Sequence, residues 1–234
     1  MSDLPKARFQ GRTHRLIAER HPTTGPFDDI GVDPEDIRTA LRMEAAATGR
    51  GDLVVMRFNA LPKDQILSGP GASIVMAAFL YADEAGARFT DSSLGGWYAG
   101  TKIETAIKET VFHHERRLRQ SDGGFPNRIV MRELICDLNL DLCDLVSEAD
   151  THPEILDPDL ASYSKSQAFA RSLRWPEKRR PDNGIFYPSV RHDGGYNVCL
   201  FWPKVVPCPP TQGAYIQYSW DATGDLSIKR ITDF

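Results

Sequence analysis

The stretch GGWYAGTKIETAIKE, residues 95–109, decides how the rest of the chain is interpreted. GGWYAG, in which two aromatic residues stand between glycines, is typical of a short strand. Thr101 and Glu104 then form a Thr-x-x-Glu capping box, which predicts a helix that begins here and runs to about Leu118. A strand that leads directly into this helix places Glu109 two turns inside it, beside the apolar face.

Three segments with a clear pattern precede this stretch. Pro34 suits the first position of a helix, which is predicted over residues 34–47. The β-branched run DLVVMRF, residues 52–58, predicts a strand that ends near Arg57. ASIVMAAFLYA, residues 72–82, is apolar nearly all round and too short to span a membrane, so it predicts a buried helix or strand of the core.

The segments after the helix mostly favour strands. Apolar residues alternate with a period of two over much of residues 128–145, which predicts one long strand. Ser164 and Gln167 repeat the capping-box pattern and predict a helix over residues 164–174. Four strand-like runs then end the chain between turn signals: GIFYPSV, YNVCLFW, AYIQYSW and DLSIKRI. The predicted fold class is α+β, with largely antiparallel sheets and flanking helices.

Composition indicates a globular protein. The chain has 234 residues, of which 41% are hydrophobic and 26% charged. It has no run of about 18 apolar residues to cross a bilayer, and its start lacks the apolar region of a secretory signal. We therefore expect a cytoplasmic protein without a membrane partner. The net charge of −4 argues against direct nucleic-acid binding as the main activity.

The first part of the chain has a composition of its own. Basic residues outnumber acidic ones near its start, and a solvated arm or a first helix is the expected structure there. A contact with nucleic acid or with a partner is the alternative. We predict an N-terminal arm and helix over residues 1–51 and a main domain over residues 52–234. The basic residues concerned are Lys6, Arg8, Arg12, Arg15 and Arg20.

Several common kinds of site lack their motifs. The chain contains neither GxGxxG before a helix nor GxxxxGK[ST], and it has no GxSxG elbow. Its histidines form no HExxH motif and no cluster with cysteines, so no metal site is predicted. The cysteines lack CxxC spacing and are predicted to be buried thiols: Cys136, Cys143, Cys199 and Cys208.

Four polar residues have ordinary explanations when each is taken alone. Glu109 is expected to be solvated or paired with a nearby lysine or arginine. Arg88 can pair with an acid, and Tyr98 can be a core tyrosine with its hydroxyl at the rim. Ser189, after a proline, is a common turn residue. Their combination and order point to a more specific interpretation.

Taken together, GARFTDSSLGGWYAGTKIETAIKE and GIFYPSVRHDGGYNVCLFWP resemble the RES domain, a family named for an arginine, a glutamate and a serine at its site. The resemblance covers about residues 52–203. Ala87, Phe89 and Thr90 depart from the Gly-Gly-Arg-Trp-Asn turn of the family. The matching positions are Arg57 in VVMRF, Arg88 in GARFT, Tyr98 in GGWYAG, Glu109 in ETAIKE and Ser189 in YPSV, with Asn197 following.

The resemblance implies a fold similar to ADP-ribosyltransferases and the toxin half of a bacterial toxin–antitoxin pair. It implies NAD as the substrate. It also implies a cognate antitoxin with an Xre-like helix-turn-helix that inserts a segment into or over the site, and a protein acceptor where ADP-ribose is transferred. The RES domain is then the part of the chain from residue 52 to residue 234.

The residue types suit cleavage of the bond between nicotinamide and ribose, in which positive charge builds on the ribose. Glu109 is expected to stabilise that charge. Arg57 and Arg88 are expected to hold the pyrophosphate with their planar guanidinium groups. Tyr98 is expected to stack on nicotinamide or adenine. Ser189 is expected to bind a ribose hydroxyl or the nicotinamide amide, since no histidine–acid pair is evident that would make it a nucleophile.

Three functions stay open, and the first two are implied by the resemblance. The first is a toxin that transfers ADP-ribose from NAD to a protein. The second is a toxin that hydrolyses or phosphorolyses NAD with the same residues. The third is a binding module without enzymatic activity or an RNA-cleaving toxin, which would use the basic N-terminal region and the basic run over residues 178–180.

Overall fold

The computed structural model describes residues 4–29, 33–48 and 51–231. Its helices are α1 (Pro26–Asp29), α2 (Pro34–Thr48), α3 (Gly51–Ala60), α4 (Ala72–Leu80), α5 (Ile103–Arg119) and α6 (Tyr163–Arg174). Its strands are β1 (Lys6–Ala18), β2 (Trp97–Gly100), β3 (Asn127–Asp144), β4 (Gly184–Pro188), β5 (Tyr196–Leu200), β6 (Thr211–Trp220) and β7 (Leu226–Ile231). Short 3-10 helices lie at Lys63–Gln65, Ala149–Thr151, Leu160–Ser162 and Pro203–Val205. The predicted α+β class is confirmed.

The described strands form one sheet in the order β1-β2-β5-β4-β3-β6-β7. Strand β1 also pairs with β3, so β1, β2, β5, β4 and β3 form a closed ring of pairings from which β6 and β7 continue. The recorded pairings are antiparallel except for β3 with β4, which confirms a largely antiparallel sheet. In the described part of the chain, the register of β1 with β2 consists of the single pair His14 and Gly100.

The prediction of a solvated arm or first helix is wrong for residues 6–18, which form β1. This strand pairs with β3 along its whole length. Arg12 Nε lies 2.9 Å from Asp137 Oδ1, and Lys6 Nζ lies 2.7 Å from Asp182 Oδ1. These basic side chains therefore meet acids of the same molecule. The domain boundary between residues 51 and 52 stays a prediction.

Residues 52–58, predicted as a strand, lie in helix α3 instead. Val54, Phe58 and Leu61 recur at helical spacing, and all three are buried in the main core. This period of three to four residues is a stronger signal than the two adjacent valines, whose β-propensity depends on context. Arg57 consequently projects from a helix and not from the end of a strand.

Helices α2 and α4 agree with the sequence. Asp33 Oδ1 accepts a hydrogen bond from Glu35 N at 2.9 Å, which is the contact expected of a residue that caps a helix beginning at Pro34. The apolar segment over residues 72–82 is confirmed as a buried element, the helix α4. It packs in the main core together with residues of α3, β2, β3 and β5. The fully buried residues of α4 are Ala72, Val75, Met76, Phe79 and Leu80.

Strand β2 and helix α5 are confirmed, but the capping box between them is wrong. Helix α5 begins at Ile103 after an extended Lys102, and no side chain caps it. Thr101 Oγ1 instead donates to the carbonyl oxygen of Tyr196 at 3.2 Å, which ties the turn to β5. The second capping box is wrong as well, because helix α6 begins at Tyr163 without a side-chain cap.

Two close approaches explain the glycines around β2. A Cβ atom on Gly95 would lie 2.3 Å from the Ala78 carbonyl oxygen, so only glycine lets the chain pass the end of α4. A Cβ atom on Gly100 would lie 2.8 Å from Ala106 N, so glycine also lets α5 start against the strand. These contacts fix α5 over the end of β2.

The remaining strands agree with the sequence. The alternating segment over residues 128–145 is β3, and the four final runs contain β4 to β7. Within the described residues, no helix combines the length and apolar character needed to cross a membrane.

Candidate active site

The carboxylate of Glu109 is fixed by two side chains from the neighbouring sheet. Ser189 Oγ donates to Glu109 Oε1 at 2.7 Å, and Asn197 Nδ2 donates to the same oxygen at 2.8 Å. Ser189 follows β4, Asn197 lies in β5, and both residues are buried. Glu109 Oε2 has no hydrogen bond to another residue of the described ranges. One oxygen of the carboxylate is therefore held in place while the other remains available.

Ser189 also shapes the turn that follows β4. Its Oγ accepts hydrogen bonds from Arg191 N at 3.2 Å and His192 N at 3.0 Å, and its own backbone N donates to Gly195 O at 2.8 Å. The single hydroxyl hydrogen is used on Glu109, and the lone pairs are used on two N–H groups. Ser189 therefore orients Glu109, and its hydroxyl is neither a free nucleophile nor a free ligand for ribose.

Arg88 lies in a tight turn over residues 87–90, which two backbone hydrogen bonds close. Its Nη1 donates to the carbonyl oxygens of Ile155 and Asp157 at 3.1 and 2.8 Å, and its guanidinium lies 4.8 Å from the ring centre of Tyr163. Its Nη2 is buried without a hydrogen-bond partner in the described part of the chain. An unpaired buried donor is costly, and an oxygen of a bound ligand would satisfy it.

The hydroxyl of Tyr98 contacts the turn that contains Arg88. The hydroxyl accepts a hydrogen bond from Phe89 N at 2.9 Å and lies 3.1 Å from Thr90 Oγ1. Burial raises the pKa of the Tyr98 hydroxyl well above its usual value. The phenol thus joins the Arg88 turn to β2, while the half-buried Tyr98 also lines the cleft described below.

Arg57 is a structural arginine. Its guanidinium donates to the carbonyl oxygens of Leu80, Ala82, Asp83 and Ser92 at distances of 2.6 to 3.1 Å. Only 1% of the residue is exposed. Because four of its five N–H groups already have acceptors, Arg57 fixes the loop after α4 and has little capacity left for a pyrophosphate.

A cleft with a volume of about 1950 Å³ lies beside the end of β1 and β2. Its walls are formed by the end of β1, by β2, by one side of α5 and by α3 and α4. Four of the five predicted site residues line this cavity: Arg57, Arg88, Tyr98 and Glu109. Ser189 lies behind the wall and reaches the cavity only through Glu109.

Two further cleft residues escaped the sequence analysis as site residues. Arg15 Nη1 donates to the carbonyl oxygen of Tyr98 at 3.0 Å, and its guanidinium lies 4.9 Å from the ring centre of Trp97. Burial lowers the pKa of Arg15 to about 10. Tyr187 packs its ring edge-on against Phe89 at 4.7 Å between centroids. Arg15 was one of several basic residues near the chain start, and only the pairing of β1 distinguishes it.

Two histidines of α5 border the same cleft. The pKa of His113 and that of His114 are each lowered to about 4, first by burial and then by the nearby charge of Arg117. Both side chains are therefore neutral at pH 7 in the folded protein. Their neutral state leaves the positive charge of this wall to arginines.

The next feature is the arrangement of the side chains that could bind a metal ion. No group of three or more histidine, cysteine, aspartate or glutamate side chains is arranged to hold a metal ion within the described ranges. Cys136, Cys143 and Cys199 are buried thiols as predicted, and burial raises the pKa of each to about 12. Cys208 is exposed, so the prediction of burial is wrong for this residue.

Comparison with protein families decides where this chain belongs. The RES domain matches residues 65–221, which is more than half of the chain. The chain belongs to the RES domain family. The RES match includes Arg88, Tyr98, Glu109 and Ser189, whereas Arg57 lies before it.

The chain is similar to one in the crystal structure of the M. tuberculosis MbcT–MbcA toxin–antitoxin complex, with a TM-score of 0.41 and 9% sequence identity. The similarity covers 97% of this chain and 87% of that chain. No curated protein matches this RES domain by sequence.

Proposed function

We propose that this RES domain is the toxin of a toxin–antitoxin pair that cleaves the nicotinamide–ribose bond of NAD and transfers ADP-ribose to a protein acceptor. The observation that carries the proposal is the Glu109 carboxylate, which Ser189 and Asn197 hold at one oxygen in the wall of a large cleft. Membership in the RES family and the unpaired Nη2 of Arg88 support it.

In the proposed reaction, the bond between ribose C1′ and the nicotinamide nitrogen breaks. Its electron pair leaves with nicotinamide, whose ring becomes neutral, while positive charge develops on the ribose. The Glu109 carboxylate stabilises this charge, and it needs little reorganisation because Ser189 and Asn197 already orient it. The acceptor atom then bonds to C1′, and its proton passes to the carboxylate or to water.

The cleft offers groups for the rest of the dinucleotide. Arg88 Nη2 is proposed to donate to the pyrophosphate, and the ring of Tyr98 to stack on nicotinamide or adenine. Arg15 is proposed as the second cation in place of Arg57, because the donors of Arg57 are occupied by backbone carbonyls. Glu109 completes the set at the ribose.

The cleft is large enough to admit a protein acceptor as well as the dinucleotide. Small-molecule sites usually enclose roughly 300–1000 Å³. The cleft here has about 1950 Å³, so a segment of an acceptor has room beside the dinucleotide. Hydrolysis or phosphorolysis of NAD uses the same Glu109 and is distinguished from transfer by its products.

The test is incubation of the purified protein with NAD labelled in the adenylate part, together with bacterial proteins as acceptors. Released nicotinamide and label bound to protein are both measured. Glu109→Gln keeps the side-chain shape and removes the charge, and we expect it to slow nicotinamide release by about 100-fold or more, as loss of a transition-state contact does. Glu104→Gln is the matched control, because Glu104 is exposed in the first turn of the same helix.

The products decide between the related reactions. Label retained on a protein supports transfer, whereas free ADP-ribose or its phosphate ester without labelled protein means hydrolysis or phosphorolysis. Undiminished release of nicotinamide by Glu109→Gln would contradict the proposed role of the carboxylate. Absence of NAD cleavage by the wild-type protein would contradict NAD as the substrate.

We also propose that a cognate antitoxin with an Xre-like helix-turn-helix neutralises the toxin. Expression of the wild-type chain alone is expected to stop growth and to lower cellular NAD, and co-expression of the antitoxin is expected to restore both. Growth arrest by Glu109→Gln at normal NAD levels would instead favour the binding module or the RNA-cleaving toxin.

A further inference from the structure

Tyr187 occupies a position between the two charged groups of the site. It lies in β4 directly opposite Asn197 in β5, and side chains at opposed positions share one face of a sheet. Asn197 donates to Glu109 on that face. The ring of Tyr187 packs against Phe89, the residue after Arg88. Tyr187 therefore reaches the cleft between the carboxylate and the guanidinium.

The hydroxyl of Tyr187 has no hydrogen-bond partner in the described part of the protein. It makes no hydrogen bond to any residue of the described chain, although only 6% of the residue is exposed and the residue lines the cleft. Tyr98, in the same cleft, has its hydroxyl bonded to Phe89 N and near Thr90 Oγ1. Buried polar groups in proteins usually have partners. A ligand in the cleft would supply the partner that Tyr187 lacks.

The charge state of Tyr187 and its surroundings restrict the kind of ligand group. Burial and then the negative charge of Glu109 raise the pKa of Tyr187 well above its usual value, so the hydroxyl stays protonated and can donate. A phosphate oxygen beside it would be repelled by the Glu109 carboxylate. A sugar hydroxyl suits both neighbours, because it accepts one hydrogen bond and donates another.

We propose that Tyr187 is a further substrate-binding residue, whose hydroxyl donates to the ribose hydroxyl that in turn donates to Glu109 Oε2. This inference rests on the proposed cleavage of NAD and adds a ribose-recognition group to it. Tyr187 then fixes the ribose ring relative to the carboxylate before the bond to nicotinamide breaks. The substrate feature that it recognises is a hydroxyl of the nicotinamide-side ribose.

Binding of ADP-ribose tests the proposal without any turnover. Isothermal titration of the full chain with ADP-ribose is compared between the wild type and Tyr187→Phe. The variant removes only a hydroxyl that has no partner among the described residues, so we expect an unchanged Tm and a Kd that is about three- to tenfold higher. Tyr196→Phe is the matched control, since Tyr196 lies in the adjacent strand, outside the cleft wall, and its Kd is expected to stay the same.

A second arm uses the ligand in place of the protein. ADP-ribose analogues that lack the 2″- or 3″-hydroxyl of the terminal ribose are titrated into both proteins. We expect one analogue to bind the wild type more weakly, and Tyr187→Phe to bind that analogue and ADP-ribose with similar Kd values. The wild type alone reports the contribution of each hydroxyl, and loss of the difference between analogue and ADP-ribose in Tyr187→Phe assigns that contribution to Tyr187.

The outcomes separate this inference from the proposed function. A wild type that binds neither ADP-ribose nor NAD contradicts the proposed function, and with it the role of Tyr187. The inference is overturned if the wild type and Tyr187→Phe bind ADP-ribose with the same Kd. It is also overturned if the wild type binds both deoxy analogues as tightly as ADP-ribose. Either result leaves NAD as the substrate.

Discussion

Replacement of Asn197 by aspartate tests the contact on which the site depends. Asn197 is 3% exposed, and its Nδ2 lies 2.8 Å from Glu109 Oε1. Asn197→Asp has nearly the same shape, but it puts a second carboxylate where a donor stood. Two unit charges at this distance repel each other by about 6 kcal/mol at an effective dielectric constant of 20. The folded variant is therefore expected to hold one proton between the two carboxylates.

The free energy needed to protonate this carboxylate determines how much the free energy of unfolding of the variant falls. An aspartate with an ordinary pKa near 3.9 takes up a proton at a cost of about 4 kcal/mol at pH 7 and about 1.5 kcal/mol at pH 5. The folded variant binds more protons than its unfolded state in this range, because its shared pKa is raised. Its stability relative to wild type therefore falls by about 1.4 kcal/mol for each unit of rising pH.

Thermal unfolding followed by circular dichroism measures this effect in buffers from pH 5 to pH 7. For a chain of this length about 1 kcal/mol shifts Tm by about 2–4 °C, so the Tm difference between wild type and variant is expected to widen by about 5–11 °C over the range. Asn59→Asp is the control, because Asn59 is exposed and its side-chain oxygen already accepts from Arg38. A Tm difference that stays constant with pH would refute the contact between Asn197 and Glu109.

Three other predictions follow from the same contacts. Arg57→Lys is expected to lower the free energy of unfolding, measured by urea titration, by about 2–4 kcal/mol, because lysine cannot reproduce the planar guanidinium that binds four carbonyls. An unfolding midpoint equal to that of the wild type would contradict this. Ser189→Ala is expected to cost about 1–3 kcal/mol in the same assay, since two backbone N–H groups lose their acceptor, and an unchanged midpoint would show that the turn does not need the hydroxyl. Because the pKa values of His113 and His114 are lowered to about 4, the unfolded state binds more protons below pH 6.5, so Tm is expected to fall as the pH drops from 6.5 towards 4. Replacement of both histidines by glutamine should flatten that fall, and an equally steep fall would argue against the lowered pKa values.

The sequence by itself determined the elements whose signals lie within a few residues. The alternation over β3 and the apolar run over α4 are local patterns, and the structure confirms a strand for the first and a buried element for the second. The order of the motifs that resemble the RES domain also singled out Arg88, Tyr98, Glu109 and Ser189 as candidate site residues. Local motifs are enough to single out these residues, because each residue stands in a short motif that includes a turn or a strand end.

Only the tertiary structure decided how those residues are used, because a hydrogen bond depends on partners that are remote in the chain. Ser189 and Glu109 are 80 residues apart, and Arg12 pairs with Asp137 across 125 residues. The basic start of the chain therefore forms strand β1 because it pairs with β3, and no local pattern in the sequence specifies that partner. Arg57 likewise became a structural residue because the backbone carbonyls of two later loops occupy its donors.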